Sequence, residues 1–296
     1  PVMLSDCIDA LNINANGTYI DVTFGGGGHS KEIFKLLSAD GKLIAFDQDE
    51  DAAKNTWDAP NFFFIAANFE HITNHLRLLG IKQVDGILAD LGVSSHQFDE
   101  VSRGFSFRGD AKLDMRMNQQ AQLSAEDLIN TYTEEKLIQI FRKYGEITNA
   151  RKLALAIIAS RLNKKIRTTG ELTAILETCA PKFKEHKYFA QVFQAIRIEV
   201  NHEMKVLESF LLQSEKILKP EGRLVVMSYH SLEDRLVKNY MKRGSLSGEI
   251  TKDFYGNVLK PFTEVVRKPI TPNEKELERN TRARSAKLRI ASRDGK

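Results

Sequence analysis

Residues 21–30 read DVTFGGGGHS, and this stretch decides the fold expected for the 296-residue chain. An apolar run at 18–22 leads into the glycines, and a segment with helical periodicity follows at 30–38. Glycines let the backbone approach a ligand closely, and the start of a helix offers free N–H groups to polar or anionic atoms. The stretch therefore predicts a strand, a ligand-binding turn and a helix in succession.

The first third of the chain repeats this alternation. The predicted strands are residues 18–22, 42–46, 62–66 and 84–91. The predicted helices between them are residues 30–38, 49–57 and 69–79. Apolar strands separated by helices form a parallel sheet that is covered on both faces, and the crossovers are right-handed. The fold class is therefore α/β, with a doubly wound, Rossmann-like sheet.

A helical region interrupts this pattern after a polar segment, residues 94–118. Its predicted helices are residues 124–130, 134–144, 150–163, 169–179 and 189–200. The alternation then resumes with a helix at 203–218, a turn at 220–222, a strand at 223–228, a helix at 231–243 and strands at 263–267 and 286–290. We predict a discontinuous sheet domain, residues 1–103 and 198–296, with an all-helical substrate domain, residues 104–197, inserted at the carboxyl edge of the sheet.

The composition excludes several protein classes. Hydrophobic residues make up 42% of the chain and charged residues 28%, which is typical of a globular protein. Two cysteines cannot form a disulfide framework or a zinc site by themselves. No apolar run approaches the roughly 18 residues of a membrane span, and no secretory signal is visible at the start. We therefore expect a cytoplasmic protein that does not associate with membranes.

Three carboxylates, Asp21, Asp47 and Asp90, come at the ends of predicted strands. An acid about twenty residues beyond a glycine turn accepts hydrogen bonds from ribose hydroxyls, so a nucleoside ligand is favoured over a simple turn with a helix cap. The dinucleotide pattern lacks its third glycine because Ser30 occupies that position, and the Gly-Lys-Ser/Thr sequence of a Walker motif is absent. Adenosine without a pyrophosphate fits better, and S-adenosylmethionine is the common case.

The motifs together resemble one family. The glycine stretch and DLGVSS at 90–95 are similar to the bacterial 16S ribosomal RNA cytosine-N4 methyltransferase family, also called the MraW or RsmH family. Further matching segments are RGFSF at 103–107, LDMRM at 113–117, YGE at 144–146, FQAIR at 193–197, HSLEDR at 230–235 and RARSAKLR at 282–289. The resemblance implies a class I S-adenosylmethionine-dependent methyltransferase sheet with an inserted helical domain. It also implies methylation of the exocyclic amine of one cytidine in the decoding region of small-subunit ribosomal RNA.

The cofactor contacts follow from the resemblance together with the strand-end pattern. These residues are Asp21, Gly25, Gly27, Gly28, His29, Asp47, Phe69, Asp90 and Gln97. The ring of Phe69 is expected either to lie against adenine or to pack in the core. His71 and His75 have a spacing that suits a metal, but we interpret them as helix surface, since transfer from a sulfonium requires no metal.

Three residues are candidates for the chemistry. The lone pair of the cytosine amine is delocalised into the ring, so an acceptor for its N–H would help the nitrogen to react. Asp90, through its side chain or its backbone carbonyl, is the candidate acceptor. Tyr229 is a candidate for stacking on a flipped base, and His230 for receiving a proton or contacting a phosphate. The alternative for this segment is a helix cap formed by Ser231 with Asp234.

Basic residues predict the RNA contacts. Eight lysines and arginines against one acid lie within 141–170, and ten against four within 267–296. The candidate residues are Arg103, Phe105, Phe107, Arg108, Arg151, Lys152, Arg161, Lys164, Lys165, Arg167, Arg282, Arg284, Lys287 and Arg289. The expected partner is 16S ribosomal RNA or the small subunit, and homodimer formation is left open. Alternatives are a solvated helix face for the charges and hinge packing for the rings.

Two other functions remain as alternatives. A ribosome-assembly factor could keep this fold without catalysis, and measured cofactor binding without methyl transfer would favour it. An NAD-dependent oxidoreductase is the second alternative, and the missing third glycine argues against it.

Overall fold

The computed structural model describes residues 1–295, and contacts within it divide the chain into two compact units. Within the described residues, the sheet unit comprises residues 1–92 and 204–295, and the helical unit comprises Val93–Glu203. The functional division predicted from the sequence, after residues 103 and 197, stays a prediction. In the structure, residues 93–103 and 198–203 pack with the helical unit.

A seven-stranded sheet forms the centre of the sheet unit. The strands are β1 (Thr18–Asp21), β2 (Lys42–Asp47), β3 (Phe62–Ala66), β4 (Val84–Asp90), β5 (Leu218–Ser228), β6 (Phe262–Glu264) and β7 (Lys287–Arg293). Their spatial order is β3-β2-β1-β4-β5-β7-β6, with β1 to β5 parallel and β7 antiparallel to both neighbours. This confirms the predicted α/β class and its Rossmann-like sheet.

Twelve α-helices surround the sheet or build the helical unit within residues 1–295. They are α1 (Leu4–Leu11), α2 (Gly28–Lys35), α3 (Ile72–Leu78), α4 (Ser95–Asp99), α5 (Ala125–Thr131), α6 (Glu134–Gly145), α7 (Ala150–Asn163), α8 (Thr169–Cys179), α9 (Glu185–Val200), α10 (Glu203–Ile217), α11 (Ser231–Arg243) and α12 (Glu274–Arg279). The predicted helix at 49–57 is instead a 3₁₀ segment, Glu50–Asn55, and a 3₁₀ turn, Phe69–His71, precedes α3. Short 3₁₀ segments commonly serve as connectors and at helix ends.

Burial on both faces of the sheet explains the apolar character of its strands. Tyr19 and Ile20 are successive residues of β1, and they pack into different hydrophobic clusters because successive strand side chains point to opposite faces. In β2, Leu43 and Phe46 are likewise fully buried, one in each cluster. The parallel strands are thus covered on both sides, as their nearly continuous apolar sequence predicts.

The turn predicted at 220–222 was wrong, because these residues belong to β5. The strand predicted at 223–228 is the second half of β5. β5 runs on through residues 220–222, and its pairing with β4 shifts register, since Val84 lies opposite Leu218 but Gly86 opposite Arg223. The extra residues form a bulge in which Glu221 has a φ of 64°. A Cβ at position 222 would lie 2.8 Å from a backbone carbonyl oxygen, so the bulge favours glycine there.

The helical unit has its own apolar core. α6, α7 and α9 contribute residues that are fully buried, including Leu137, Leu153 and Val192. The polar segment before α5 also packs into this core, because Met115 is completely buried. The side-chain amide of Asn201 holds this segment in place, since its oxygen accepts the N–H of residue 117 at 2.7 Å and its nitrogen donates to the carbonyl of Met115 at 2.8 Å.

The cap of α8 provides a measurable contribution to stability. The Thr168 hydroxyl accepts the N–H of Glu171 at 3.2 Å, and the Glu171 carboxylate accepts the N–H of Thr168 at 3.3 Å. We expect Thr168→Ala to lower the free energy of unfolding by about 1 kcal/mol, as measured by denaturant titration. Thr178→Ala, at the exposed end of the same helix, is the control and should cost less than about 0.5 kcal/mol. Equal losses in the two variants would contradict the capping role.

Within the part of the chain that the structure describes, none of the helices combines the length and apolarity needed to traverse a bilayer.

Candidate functional site

The predicted carboxylates converge at one edge of the sheet unit. Asp21, Asp47 and Asp90 are the last residues of β1, β2 and β4, and Tyr229 directly follows β5. These strands are parallel and adjacent in the order β2-β1-β4-β5. Their carboxyl ends therefore lie side by side, at the edge where open α/β sheets bind ligands.

The glycine loop between β1 and α2 is held in a fixed conformation. Gly25 and Gly27 have φ values of 51° and 73°, which residues other than glycine rarely adopt. A Cβ at Gly27 would lie 2.9 Å from the ring of Phe24, whereas a Cβ at Gly26 would meet no heavy atom within 4 Å. The loop thus packs on one side and faces open space on the other.

The first turn of α2 packs against the start of the chain. A Cβ at Gly28 would lie 2.5 Å from the ring of Pro1, so this close approach favours glycine. The next residue, His29, is only 5% exposed, and its Nε2 lies 3.1 Å from the carbonyl oxygen of Val2. The cofactor contacts assigned to Gly28 and His29 stay predictions.

Asp47 fastens the glycine loop to β2. One carboxylate oxygen accepts the N–H of Gly25 at 2.7 Å, and the other accepts the N–H of Asp49 at 2.9 Å. Burial raises the pKa of Asp47 from 3.8 to about 6, against the lowering effect of these two hydrogen bonds. Each oxygen of a carboxylate has a second lone pair, so Asp47 can still accept hydroxyl donors.

Asp21 is turned into the protein instead. It is only 1% exposed, and its carboxylate accepts the Ser30 hydroxyl at 2.7 Å and the N–H of Thr23 at 3.0 Å. These contacts tie the first turn of α2 to β1. Burial does not favour the cofactor contact predicted for Asp21, which stays a prediction.

Asp90 lies in a group with Tyr229 and His29. Its carboxylate accepts the Tyr229 hydroxyl at 2.7 Å, and its other oxygen lies 3.8 Å from Nδ1 of His29. Burial raises the pKa of Asp90, and the nearby imidazole and phenol oppose this rise. The side chain of Asp90 remains 21% exposed, so the carboxylate is both desolvated and accessible. This combination is typical of a group that accepts a proton or an N–H donor.

The phenol of Tyr229 is bound to this carboxylate in the structure. Burial raises the pKa of Tyr229, and the negative charge of Asp90 raises it further, so the hydroxyl keeps its proton and donates it to the hydrogen bond. Stacking of the ring on a flipped base stays a prediction.

The next residues after β5 differ from their predicted roles. His230, and not Ser231, is the N-cap of α11, so the predicted cap at Ser231 was wrong. Glu233 completes the cap in place of Asp234, because its carboxylate accepts the N–H of Tyr229 at 2.9 Å and that of His230 at 3.3 Å. The side chain of His230 is 8% exposed and its Nε2 lies 3.2 Å from Glu233, which does not favour the predicted proton transfer or phosphate contact.

Two further cofactor candidates are found in structural roles. The ring of Phe69 packs edge-on against Phe210 with centroids 5.4 Å apart and stays partly exposed, so the core interpretation and the adenine interpretation are compatible. Gln97 belongs to the helical unit, where its side-chain oxygen accepts the N–H of Ser94 at 3.0 Å in the cap of α4. Its contact with a cofactor stays a prediction.

Most basic residues of the helical unit that were predicted to bind RNA are exposed. Several also make local contacts, since Lys164 pairs with Glu171 and Lys152 donates to the carbonyl of Thr178. Among the predicted RNA contacts in the helical unit, those with exposed side chains are Arg108, Arg151, Lys152, Lys164, Lys165 and Arg167. Surface pairs of this kind are weak, so the charges remain available to a polyanion.

Other predicted RNA contacts in this unit have structural roles instead. Arg103 is buried, and its guanidinium donates to the carbonyls of residues 116 and 117. Phe105 is a buried residue of the core of the helical unit, and Phe107 is partly buried beside it. Arg161 donates to two backbone carbonyls at the end of α5, at 2.7 Å each. These positions do not favour direct RNA contact.

The basic residues near the C-terminus divide into two groups. Arg282 and Arg284 are exposed. Arg289 is buried and donates to Asp234 at 2.7 Å, and Lys287 donates to the same carboxylate at 3.1 Å. This carboxylate joins β7 to α11, so it and its two partners stabilise the sheet unit and are not favoured as RNA contacts.

Three aromatic residues that no sequence motif indicated are almost fully exposed. Phe254 and Tyr255 are 98% and 86% exposed in the loop after α11, and Phe183 is 97% exposed before α9. Phe183 stands between two lysines, and Phe254 follows an aspartate. An aromatic residue within a short polar segment was the feature of the sequence that could have indicated these exposed rings.

Comparisons with known proteins agree with these observations. Residues 1–294 match the model of the MraW methylase family. The chain is 54% identical over 293 residues to the ribosomal RNA small subunit methyltransferase H of Bacteroides fragilis, covering 99% of this chain and 96% of the relative. It is 55% identical over 296 residues to the protein of the same name from Cytophaga hutchinsonii, covering 99% of each.

A solved rRNA methylase from Streptococcus thermophilus aligns over 98% of this chain and 93% of its own, with 11% identity and a TM-score of 0.40. The family match and the two relatives extend over nearly the whole chain and include both units. The chain therefore belongs to the MraW methylase family, and it is an rRNA methyltransferase that takes its methyl group from S-adenosylmethionine.

Proposed function

We propose that the enzyme methylates N4 of one cytidine in the decoding region of 16S ribosomal RNA. The observation that carries the choice of an amine is the carboxylate of Asp90, which is desolvated, partly exposed and held by the Tyr229 hydroxyl at the sheet edge. The relatives' names, which refer to ribosomal RNA of the small subunit, support the substrate class. Such a substrate would place the reaction in the cytoplasm.

The residues at the sheet edge fit the methyl donor. The open side of the glycine loop at Gly26 leaves room for a ligand to approach the backbone. Asp47 would accept the ribose hydroxyls, since its carboxylate ends β2 beside that loop. Phe69 would offer a ring to the adenine. The other residues that we expect to line this site are Gly25, Gly27, Gly28 and His29.

The methyl carbon of the donor needs little activation by the protein, whereas the amine nitrogen of cytosine needs more. S-adenosylmethionine supplies a methyl group that its sulfonium already activates. The cytosine amine is a poor nucleophile because its lone pair is delocalised into the ring. Asp90 would accept one N–H of this amine, which favours localisation of the lone pair, and would hold the proton that the nitrogen releases. Tyr229 would fix the orientation of this carboxylate.

The exposed basic residues provide the RNA contacts in this proposal. They would bind phosphates, and such contacts predict that the affinity for RNA falls steeply with salt. The residues are Arg108, Arg151, Lys152, Lys164, Lys165 and Arg167 of the helical unit, and Arg282 and Arg284 of the sheet unit.

Methyl transfer from isotope-labelled donor to small ribosomal subunits that lack the modification tests the proposal. We expect incorporation at a single cytidine, with the label on N4 when the modified nucleotide is isolated and identified by mass spectrometry. Free 16S RNA and assembled subunits are compared in parallel, because either could be the substrate. Incorporation at a ring carbon or a ribose hydroxyl, or into large-subunit RNA only, would contradict it.

A further inference from the structure

The turn before α9 places a phenylalanine in a conformation that phenylalanine avoids. The carbonyl of Pro181 accepts the N–H of Lys184 at 3.1 Å, which closes a four-residue turn. Phe183 is the third residue of this turn and has a φ of 64°. Glycine or asparagine normally supplies a positive φ at this position, and a bulky residue there is a genuine outlier.

Local contacts hold this conformation but do not bury the ring. The N–H of Phe183 donates to the carboxylate of Glu185 at 3.0 Å, which fixes the backbone of the turn. The side chain is 97% exposed, so the strained residue gains almost nothing from packing. Strain that packing does not explain is a reason to ask what binds to the residue.

The charges around Phe183 indicate the kind of ligand. Lys182, Lys184 and Lys187 are exposed, and Glu185 is the one acid in the sequence of residues 181–188. Its carboxylate already accepts the N–H of Phe183. An exposed ring between lysines suits an unpaired nucleotide, whose base stacks on the ring while the ammonium groups attract phosphates.

We propose that Phe183 is a stacking platform for an unpaired base of the RNA substrate, with Lys182, Lys184 and Lys187 attracting the adjacent phosphates. The inference rests on the RNA substrate of the proposed function, and it adds a contact site to the helical unit. Stacking depends on the face of the ring and not on base identity, so the site would favour single-stranded RNA with little sequence preference.

Binding of a single-stranded oligoribonucleotide to the full-length enzyme tests the site directly. We expect Phe183→Ala and Phe183→Leu to weaken binding by roughly 5- to 100-fold, the range that corresponds to one stacked base. Phe183→Trp should keep the affinity of the original enzyme, because it retains an aromatic face. Fluorescence anisotropy with a labelled oligonucleotide measures all three variants at one salt concentration.

A protein partner on the ribosome gives a different pattern. If Phe183 docked on a protein, Phe183→Leu would keep its binding to small subunits, and none of the variants would change binding of the oligonucleotide. That pattern, or unchanged binding of the oligonucleotide by Phe183→Ala, would overturn the proposal. Because oligonucleotide binding needs no methyl transfer, failure of the proposed reaction leaves this test intact.

Stability provides a second readout that separates a ligand role from a structural one. Phe183→Gly removes the strain at the positive φ, so we expect the midpoint of thermal unfolding to rise by roughly 1–3 °C while oligonucleotide binding weakens. If Phe183 were retained for packing, its replacement by glycine would lower the midpoint of thermal unfolding and leave oligonucleotide binding unchanged. A lower unfolding midpoint in Phe183→Gly, with unchanged binding, would show that Phe183 is structural and would overturn the proposal.

Discussion

Replacing Asp90 with alanine is expected to lower the turnover number by about 10²- to 10⁴-fold at saturating donor and RNA, the range that general acid–base groups contribute. The carboxylate accepts the Tyr229 hydroxyl at 2.7 Å and has a pKa raised by burial, so it is suited to accept an N–H and then a proton. Asp90→Asn should lose turnover as well, because an amide cannot hold the proton.

The two variants also distinguish the side chain of Asp90 from its backbone. If the backbone carbonyl of Asp90 is the acceptor, which the sequence equally allows, both variants would keep their turnover. Single-turnover methylation, followed with labelled donor, isolates the chemical step from product release. Unchanged rates in both variants would remove the Asp90 carboxylate from the reaction.

Asp85→Asn is the matched control, since Asp85 lies near the opposite end of the same strand. Its carboxylate pairs with Lys219 at 2.8 Å and accepts the N–H of Thr18 at 2.7 Å, away from the carboxyl edge of the sheet. We expect a small loss of stability with the turnover number retained. Tyr229→Phe removes only the hydroxyl that orients Asp90, so its loss of turnover should be smaller than that of Asp90→Ala.

The second large effect is expected at Asp47. Asp47→Asn should weaken binding of S-adenosylmethionine by roughly 10- to 100-fold, because hydrogen bonds to a charged acceptor are worth about 1.5–3 kcal/mol each. Isothermal titration calorimetry measures the dissociation constant directly. Asp40→Asn, at an exposed acid of the same unit, is the control and should bind the donor normally. A normal dissociation constant in Asp47→Asn would contradict the ribose contact.

The pH dependence gives a sharper test of the same contact. Burial raises the pKa of Asp47 to about 6, so the carboxylate is ionised above that value and increasingly protonated below it. The affinity for the donor should therefore be constant above about pH 7 and approach a tenfold loss per pH unit below about pH 5. Asp47→Asn should remove this dependence, and a dependence that persists in the variant would assign it to another group.

Ionisation of Asp47 favours donor binding but lowers the free energy of unfolding. The pKa of Asp47 is higher in the folded protein, at about 6, than its ordinary value of 3.8, so the folded state binds more protons between these values. Its contribution to the free energy of unfolding is therefore fully present below pH 3.8 and is lost as the pH rises through about 6. Binding of the donor and stability of the free enzyme thus respond to this group in opposite directions.

Local sequence was enough to predict the sheet and its edge. β1 to β4 contain consecutive apolar residues, whereas a strand with one exposed face would alternate apolar and polar residues. This pattern indicates that the strands are buried on both faces. The glycines and the carboxylates follow strand ends, and parallel strands bring those ends together. The sequence therefore places Asp47 and Asp90 at one edge without any knowledge of contacts.

The roles of individual side chains at that edge depend on contacts between residues that sequence spacing does not specify. Asp21 and Asp47 end their strands in the same way, yet Asp21 is turned inward toward Ser30 whereas Asp47 stays partly exposed. Farther along the edge, the placement of Glu233 decides that His230 caps α11. Each of these choices depends on side-chain packing.

The amino-acid sequence by itself determined the strand–helix alternation, the helical region within it, and the glycine loop with carboxylates at one edge of the sheet. These features follow from hydrophobic periodicity and backbone geometry, which act over a few residues. Only the tertiary structure decided that Tyr229 holds Asp90, that Arg103 is buried and that Phe183 is exposed in a strained turn. Burial and hydrogen bonding set these properties, because both depend on which groups the fold excludes from water.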